Sequence, residues 1–273
     1  MDLAGVQSAL GRAESEGWQP GLGDHRAFFA ADPEGFFRST LEHRTVATIS
    51  VVRGSSDLAF VGLYIVAPEF RGRGFGKQLW DDALGHFDGF TLGLDAVPEQ
   101  VETYASDGFT TIYGNARFSA EASDLPEPDP DSSVRSAATV PFDDLVAFDG
   151  AHYFGPRPEF LREWIAGDGR RALAALDGNS ITGFAASRPT SSGHRIGPFF
   201  ANDPETAREL ILTLAANLSG PISVDAPEPN QDAFGLFTEL GMKQSFPTTR
   251  MYRGPAPNLP LTRIYGITTL ELG

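Results

Sequence analysis

The hydrophobic positions of the chain follow helical and strand periods in turn, and polar turn residues separate the segments. Apolar residues three or four positions apart predict helices, whereas β-branched and aromatic runs between turn residues predict strands. In the first half the predicted helices are 3–15, 24–31, 74–85 and 98–107, and the predicted strands are 36–42, 45–53, 58–66 and 90–94. Residues 110–118 are predicted to form a hairpin or two short strands.

A similar order of elements returns after residues 119–133, an acidic stretch rich in Pro and Ser that has almost nothing to bury. The second half is predicted to contain helices at 141–150, from 158, at 204–217 and 230–240, and strands at 171–176, 180–188, 194–200, 221–225 and 249–253. The offset between the halves is nearly constant, since Pro68 and Asp95 each lie 130 residues before Pro198 and Asp225.

This repeat, in a chain of 273 residues, predicts two copies of one α/β unit. We expect an α/β (α+β) fold in which each copy forms a mixed, mostly antiparallel, twisted sheet flanked by helices. The predicted domains are residues 1–120 and 134–273, joined by a linker at 121–133. Residues 264–272 have strand character and no counterpart in the first copy, so we expect them to add an edge strand to one sheet.

Composition narrows the classes of function. A formal net charge of −15 argues against a nucleic-acid partner, because phosphates favour basic surfaces. Cys is absent and the five His residues have no metal-ligand spacing, so we predict no metal site. No apolar run is long enough to span a membrane, and the N-terminus lacks the pattern of a signal peptide. These features predict a soluble cytoplasmic protein without a membrane partner.

The most informative stretch follows the apolar run 58–66. Pro68 ends that strand, and a turn rich in Gly and Arg leads into the next helix: Arg71-Gly72-Arg73-Gly74-Phe75-Gly76-Lys77. Glycines let a backbone approach its ligand, and the free N–H groups and dipole of a helix start attract an anion. The P-loop and dinucleotide patterns do not fit, because Arg71 and Lys77 stand where those motifs need glycine.

The pattern R-x-x-G-x-G directly after an apolar strand resembles the pyrophosphate loop of GNAT-type N-acetyltransferases, which bind acetyl-CoA. The resemblance is strong over residues 36–118 and architectural over 134–253. It implies a splayed strand pair beside the loop, with acetyl-CoA as a substrate. By this resemblance the cofactor-binding residues are Tyr64, Ile65, Val66, Arg71, Gly72, Arg73, Gly74, Phe75, Gly76 and Lys77. Backbone groups of Ile65 and Val66 would bind the pantetheine, and those of the turn the pyrophosphate.

Tyr104 lies four residues before a Gly-Phe pair, which looks like the GNAT element Y-x-x-x-G-F. The resemblance implies that this phenol protonates the departing CoA thiolate as a general acid. A packing aromatic is the alternative role. The second copy has Phe237 at this position and Ala201, Pro204 and Thr206 where the first has Arg71, Gly74 and Gly76. Loop and phenol are thus present together in one copy and absent together in the other, which predicts a degenerate second copy.

The family also implies a carboxylate base that removes a proton from the attacking amine. Asp95, at the end of the strand beside the expected splay, is the first choice. A helix cap or a strand-end hydrogen bond is an equally weighted alternative, because Asp225 occupies the same place in the copy without the loop. The residues expected near the acceptor, several of them also considered as the base, are Trp18, Asp24, Asp32, Glu99 and Tyr153.

The sequence therefore predicts an N-acetyltransferase that moves the acetyl group of acetyl-CoA to a small, cationic primary amine by direct attack. Self-association into a homodimer is left open. The main alternative is a non-catalytic acyl-CoA sensor or protein-interaction module, which would bind CoA without turnover. Acetylation of protein lysines or N-termini is a third interpretation, and no residue pattern favours it.

Overall fold

The structure, a computed structural model, describes all residues from 1 to 273. The first half contains α1 (Leu3–Ser15), α2 (Asp24–Ala31), β1 (Phe36–Leu41), β2 (Arg44–Arg53), β3 (Leu58–Val66), α3 (Phe75–Gly85), β4 (Thr91–Ala96), α4 (Val101–Ser106) and β5 (Thr110–Glu121). The second half contains β6 (Arg135–Ser136), α5 (Phe142–Gly150), α6 (Pro158–Ala166), β7 (Arg171–Asp177), β8 (Ser180–Pro189), β9 (His194–Ala201), α7 (Pro204–Ala215), β10 (Pro221–Pro227), α8 (Gln231–Glu239), β11 (Lys243–Arg253) and β12 (Ile264–Gly266). The mixed α/β architecture and the repeated order of elements are as predicted.

All strands join one twelve-stranded sheet in which the halves exchange their last long strands. Strand β11 of the second half lies between β4 and β5, with Arg250 opposite Asp95. Strand β5 of the first half pairs antiparallel with β10, with Arg117 opposite Asp225. Residues 110–121 form one continuous strand, so the predicted hairpin is wrong: a long strand with partners on both sides needs no turn of its own.

Helices cover both faces of this sheet because each carries one apolar face. In the first half, Leu79 and Trp80 of α3 are buried against β2 and β4. Helices α7 and α8 of the second half cover β9 and β10 in the same way. On the opposite face α1, α2 and α6 share one core, where Phe28 stacks on Trp164 across the halves with 6.4 Å between ring centroids. None of the helices is both long and apolar enough to cross a membrane.

The last strand does not extend a sheet edge as expected. Strand β12 is three residues long and pairs antiparallel with the interior strand β9, with Ile264 opposite Phe200. The next residue, Ile267, donates its N–H to the carbonyl of Asp225 in β10 at 2.9 Å. The segment therefore enters the gap between β9 and β10, where backbone groups of both strands lack other partners.

Candidate active site

Strands β3 and β4 pair only at their beginnings. Residues Leu58–Phe60 pair in parallel with Thr91–Gly93, and beyond these positions no pairing joins the two strands. In β3 the register against β2 shifts at a bulge, where Leu63 has a φ of +48°. A bulge bends its strand, and a non-glycine residue in this conformation costs about 1–3 kcal/mol, which is typical of functional sites. The two strands consequently splay apart.

A cavity of about 480 Å³ opens in this splay. Its wall is mainly apolar with a few polar groups, as small-molecule sites usually are. The lining residues are Glu16, Trp18, Val61, Gly62, Leu63, Tyr64, Ile65, Val66, Arg71, Leu94, Asp95, Val97, Gln100, Tyr104, Phe246, Thr248, Leu270 and Glu271. The cavity thus includes three predicted cofactor-binding residues of β3 (Tyr64, Ile65 and Val66), the start of the Gly/Arg turn, and the predicted acid Tyr104.

The Gly/Arg turn, residues 71–77, presents its backbone at the start of α3. Gly72 and Gly74 have φ values of +71° and +85°, a conformation that side chains other than glycine rarely adopt. No backbone N–H from Gly72 to Lys77 donates to another group of the protein. A side chain at Gly76 would collide with Tyr64, since an added Cβ would lie 2.7 Å from the phenol oxygen. Six neighbouring donors at a helix N-terminus form a site for a phosphate-like anion.

Three cationic side chains surround these N–H groups. The Nε of Arg71 donates to the carbonyl of Val66 at 3.0 Å, and its guanidinium also contacts Glu16. Arg73 lies over the rings of Phe70 and Phe75, each at 5.3 Å from the guanidinium carbon to the centroid. Lys77 contacts Asp81 one helical turn later. All three side chains are exposed, and exposed ion pairs are weak, so a polyphosphate can compete for them.

Tyr104 belongs to a stack of aromatic rings at the cavity wall. Its ring lies 5.3 Å from that of Trp80 at an interplanar angle of 27°, and the ring of Tyr64 also packs on the indole, at 5.2 Å and 53°. The indole is itself fixed, because its Nε1 donates to Asp107 at 2.6 Å. Burial, with a smaller contribution from Tyr64, raises the pKa of Tyr104 to about 12. The phenol is therefore protonated at neutral pH, as a general acid must be.

Asp95 lines the cavity, but its carboxylate is bonded to Arg250 of β11. Arg250 donates to both of its carboxylate oxygens, at 2.7 and 2.8 Å, and Asn115 donates to one of them at 2.9 Å. The side chain of Asp95 is 0% exposed. Burial raises its pKa, while Arg250 acts in the opposite direction. This geometry favours the alternative predicted role, a hydrogen bond at the strand end, over that of a base.

Of the five side chains expected near an acceptor, only Trp18 lines the cavity. The other four lie elsewhere, which corrects the expectation. Asp24 is buried against Arg170 and Arg188, Asp32 accepts from Arg53, Tyr153 donates to the carbonyl of Leu272, and Glu99 is exposed in the short turn before α4. Asp24 begins α2 and Asp32 follows it, and both carboxylates are engaged by arginines and by backbone N–H groups, so neither is free to bind a ligand.

The sequence did not indicate several residues of the cavity. Phe246 and Thr248 come from the exchanged strand β11, and Leu270 and Glu271 from the segment that passes β9. These residues lie more than 140 positions from Tyr104 along the chain. Local periodicity contains no signal for such long-range placement, and no motif marks Glu271.

The equivalent region of the second half has a different structure. Strand β9 is followed by only two residues, Asn202 and Asp203, before α7, whereas residues 67–74 connect β3 to α3. Asp203 caps α7 by accepting from the N–H of Thr206 at 2.8 Å, and Pro204 has no N–H to offer. The structure thereby shows that Pro198, within β9, is not the counterpart of Pro68, which follows β3.

Comparison with known proteins relates both halves to acetyltransferases. A family model described as an acetyltransferase (GNAT) domain matches residues 27–125, and another with the same description matches residues 145–266. Holothin acyltransferase of a Pseudoalteromonas species is 33% identical over 264 residues, covering 96% of this chain and 89% of that protein. The uncharacterized N-acetyltransferase YitH of Bacillus subtilis is 26% identical over 218 residues, covering 79% of this chain and 77% of that protein.

Solved structures share the same architecture. A Pyrococcus horikoshii protein provisionally described as an acetyltransferase has a TM-score of 0.77 at 22% identity, covering 90% of this chain and 83% of that one. A tandem GNAT protein from the clavulanic acid biosynthesis pathway has a TM-score of 0.60 at 16% identity, covering 87% and 90%. At these identities the likeness concerns the fold.

Proposed function

Because this chain belongs to the GNAT family of acyltransferases, with a family domain in each half, we propose that it acetylates a small, cationic primary amine in the cavity between β3 and β4. The acetyl donor of the family, acetyl-CoA, is its second substrate. The assignment to this cavity rests on the run of free N–H groups from Gly72 to Lys77, which lies beside the splayed strands.

In this proposal the pyrophosphate of acetyl-CoA binds the turn, and its pantetheine extends along β3. The turn supplies backbone donors, the positive end of the α3 dipole, and the charges of Arg71, Arg73 and Lys77. Ile65 and Val66 both line the gap in which β4 no longer pairs, and the backbone of Val66 faces it because Ala67 donates to Val46 of β2 on the other side. An extended ligand can therefore bind along this edge in place of the missing strand. The thioester then reaches the aromatic wall near Tyr104.

The reaction is a direct transfer. The neutral amine nitrogen attacks the thioester carbonyl carbon, a C–N bond forms, the C–S bond breaks, and the nitrogen loses one proton to a base. The departing thiolate takes its proton from the phenol of Tyr104, whose pKa of about 12 keeps that proton in place until charge develops on sulfur. Positioning of both substrates in the cavity lowers the entropic part of the barrier.

The proposal of a cationic acceptor is supported by the charge of the molecule and of the cavity. The formal net charge of −15 creates a field that attracts cations. Two of the acidic residues, Glu16 and Glu271, line the cavity beside the apolar rings of Trp18 and Phe246. The Pseudoalteromonas relative is named for acylating holothin, so holothin belongs in the panel of acceptors to be tested.

We further propose that the second half is degenerate and binds no CoA. A two-residue connection replaces the Gly/Arg turn, and the Asp203 carboxylate already occupies the start of α7. Strand β12 fills the gap between β9 and β10. Phe237, at 0% exposure, replaces the phenol with a packing ring.

Calorimetric titration of acetyl-CoA at moderate salt tests the site. We compare the wild type with Gly74→Asp, which adds a negative charge at the anion site, and with Gly89→Asp as a matched control. Gly74 and Gly89 both have φ of +85° and open space around an added Cβ, so the backbone strain and added charge are the same. We expect one site per chain in the wild type and in Gly89→Asp, and none in Gly74→Asp.

Turnover is measured next, as release of free CoA thiol with an amine panel of spermidine, tyramine and holothin. Acetylation of a panel member by the wild type supports the proposal. Binding without turnover of any amine would indicate the acyl-CoA sensor instead, and absence of binding would refute the assignment of the turn.

A further inference from the structure

The segment of residues 264–273 connects the second half to the cavity of the first. After β12 it turns back at Thr268 and Thr269. Arg157 donates to the hydroxyl of Thr268 at 2.9 Å, and Tyr153 donates to the carbonyl of Leu272 at 2.7 Å. Both partners belong to the second half and are buried. The second half therefore fixes the position of this segment.

The turn at residues 269–273 is closed by its own hydrogen bonds. The hydroxyl of Thr269 accepts from the N–H groups of Glu271 and Leu272, at 3.1 and 3.0 Å. The carbonyl of Thr269 accepts from the N–H of Gly273 at 3.1 Å. A turn bonded at three points holds the side chain between them in a defined direction.

This turn packs directly on strand β3 where the bulge begins. An added Cβ at Gly62 would lie 2.5 Å from the carbonyl oxygen of Glu271 and 2.8 Å from its Cα. Only glycine permits this approach. Gly62, Leu270 and Glu271 line the cavity together, so the second half contributes part of its wall.

Glu271 differs from the other carboxylates of the cavity in having no ion pair. Glu16 contacts Arg71, and Asp95 is held in two hydrogen bonds by Arg250. Glu271 is 8% exposed, and no Arg, Lys or His nitrogen lies within 4.0 Å of its carboxylate.

The charged groups around Glu271 are themselves paired. Arg188 is bonded to Asp24, and Arg195 to Asp225. Burial raises the pKa of Glu271, Arg195 and Arg188 oppose this, and Asp24 adds to it. A raised pKa makes the carboxylate a stronger base than an exposed glutamate.

We propose that Glu271 is the general base of the transfer, supplied to the cavity of the first half by a segment that the second half holds in place. This inference rests on the proposed function. The Glu271 carboxylate accepts the proton that the attacking nitrogen loses as the C–N bond forms, and Tyr104 gives its proton to the leaving thiolate. One proton leaves the amine and one reaches sulfur, so the two groups return to their starting states after exchange with solvent.

The experiment compares Glu271→Gln with Glu239→Gln, an exposed glutamate of α8 that pairs with Arg208. Acetyl transfer is measured with the panel amine that the wild type turns over fastest. We expect kcat for Glu271→Gln to fall about 100-fold or more, the usual contribution of a general base. Acetyl-CoA binding by calorimetry is expected to be unchanged in both variants, and turnover unchanged in Glu239→Gln.

Two further readouts separate a base from a structural residue. In the wild type we expect kcat/KM to fall toward acid pH with an apparent pKa above that of an ordinary glutamate. In Glu271→Gln we expect this fall to be absent. A raised pKa means that the folded state accommodates the neutral carboxyl better than the ionised one. At neutral pH, replacing the charged carboxylate by a neutral amide is therefore expected to leave Tm unchanged or to raise it. Glu271→Asp, which keeps the carboxylate, is expected to recover part of kcat.

The outcomes distinguish this inference from the function beneath it. Unchanged kcat in Glu271→Gln, with an active wild type, overturns the role of Glu271 and leaves the acetyltransferase in place. A rise in KM alone would make Glu271 an anchor for the cation, which also overturns the base. A wild type that binds acetyl-CoA but acetylates no amine refutes the proposed function, and this inference with it.

Discussion

The gap between the two central parallel strands is filled differently in the two halves. In the first half β3 and β4 pair over three residues and then leave a cavity open to solvent. In the second, β9 and β10 pair over three residues, and the gap beyond them receives β12 and the N–H of Ile267. The same scaffold therefore creates unpaired strand edges twice. The unpaired edges of β3 and β4 are available to a ligand, whereas β12 and Ile267 occupy the gap between β9 and β10.

A second feature is the same in both halves. Asp95 in β4 is held by Arg250 from the exchanged strand β11, and Asp225 in β10 is held by Arg117 from the exchanged strand β5. Each pair is buried and bonded at both oxygens, so each fixes a strand of one half to the sheet of the other. A feature shared by an open and a closed cleft cannot account for their difference. The comparison therefore assigns the aspartates to assembly of the sheet and leaves catalysis to groups found in one half only.

The largest expected effect comes from breaking these pairs. Asp95→Ala and Asp225→Ala each leave a buried arginine without its bidentate partner, which costs about 3–5 kcal/mol of unfolding free energy. Urea unfolding measures the change as a lower midpoint at similar m. The comparison predicts a large loss at both sites, and the larger one at Asp225, because its carboxylate also accepts from Arg195. A loss confined to one of them would contradict the common role.

An exposed pair provides the control. Arg208 and Glu239 lie 2.6 Å apart on α7 and α8, with the Glu239 side chain 70% exposed. Glu239→Ala is expected to cost no more than about 1 kcal/mol. Replacing both members of a buried pair, as in Asp95→Leu with Arg250→Met, is expected to cost less than Asp95→Ala, because no uncompensated charge remains.

The shared elements are also what the sequence predicted best. Hydrophobic periods indicated the helices and nearly all strands in both halves, because each element buries one face against a local neighbour. The match of Asp95 with Asp225 is confirmed by their equivalent arginine pairs. The match of Pro68 with Pro198 is wrong. The connection after β9 is shorter than the connection after β3, and the constant offset between the halves conceals this difference in length.

The parts that sequence reasoning missed depend on contacts between distant residues. An apolar strand such as β5 or β11 has the same pattern whichever sheet it joins, so the exchange was not visible. The 264–272 segment showed strand character but gave no information on its partner. Because the course of this segment could not be predicted, nothing in the sequence indicated that Glu271 reaches the cavity. The Gly/Arg turn and Tyr104 could be predicted because each is a compact local motif.

The next effect concerns the residue that differs most directly between the halves. Tyr104→Phe gives the first half the ring that Phe237 supplies in the second, and it removes only the hydroxyl. We expect turnover to fall about 100-fold, within the usual range for a general acid, with acetyl-CoA affinity nearly unchanged because the ring still stacks on Trp80. Steady-state kinetics and calorimetry measure the two quantities. Unchanged turnover on a good substrate would remove the phenol from the mechanism.

The pH dependence provides a check on the same residue. A phenol with an unperturbed pKa near 10 would be about nine-tenths ionised at pH 11 and would lose its function as an acid. Because burial raises the pKa of Tyr104 to about 12, the protonated form persists to higher pH. We therefore expect no decline of kcat assignable to Tyr104 between pH 9 and pH 11. A decline centred near pH 10 that disappears in Tyr104→Phe would contradict this assignment.

The smallest expected effect concerns the two helix starts. Asp203 caps α7 through the N–H and hydroxyl of Thr206, at 2.8 and 3.0 Å, whereas Gly74 at the start of α3 makes no side-chain cap. Asp203→Ala is expected to cost about 1 kcal/mol of unfolding free energy, with Asn202→Ala near zero as the neighbouring control. Acetyl-CoA stoichiometry should remain one per chain in both variants, because β12 still fills the second gap. A second binding site appearing in Asp203→Ala would mean that the capping carboxylate alone keeps the second half from binding CoA.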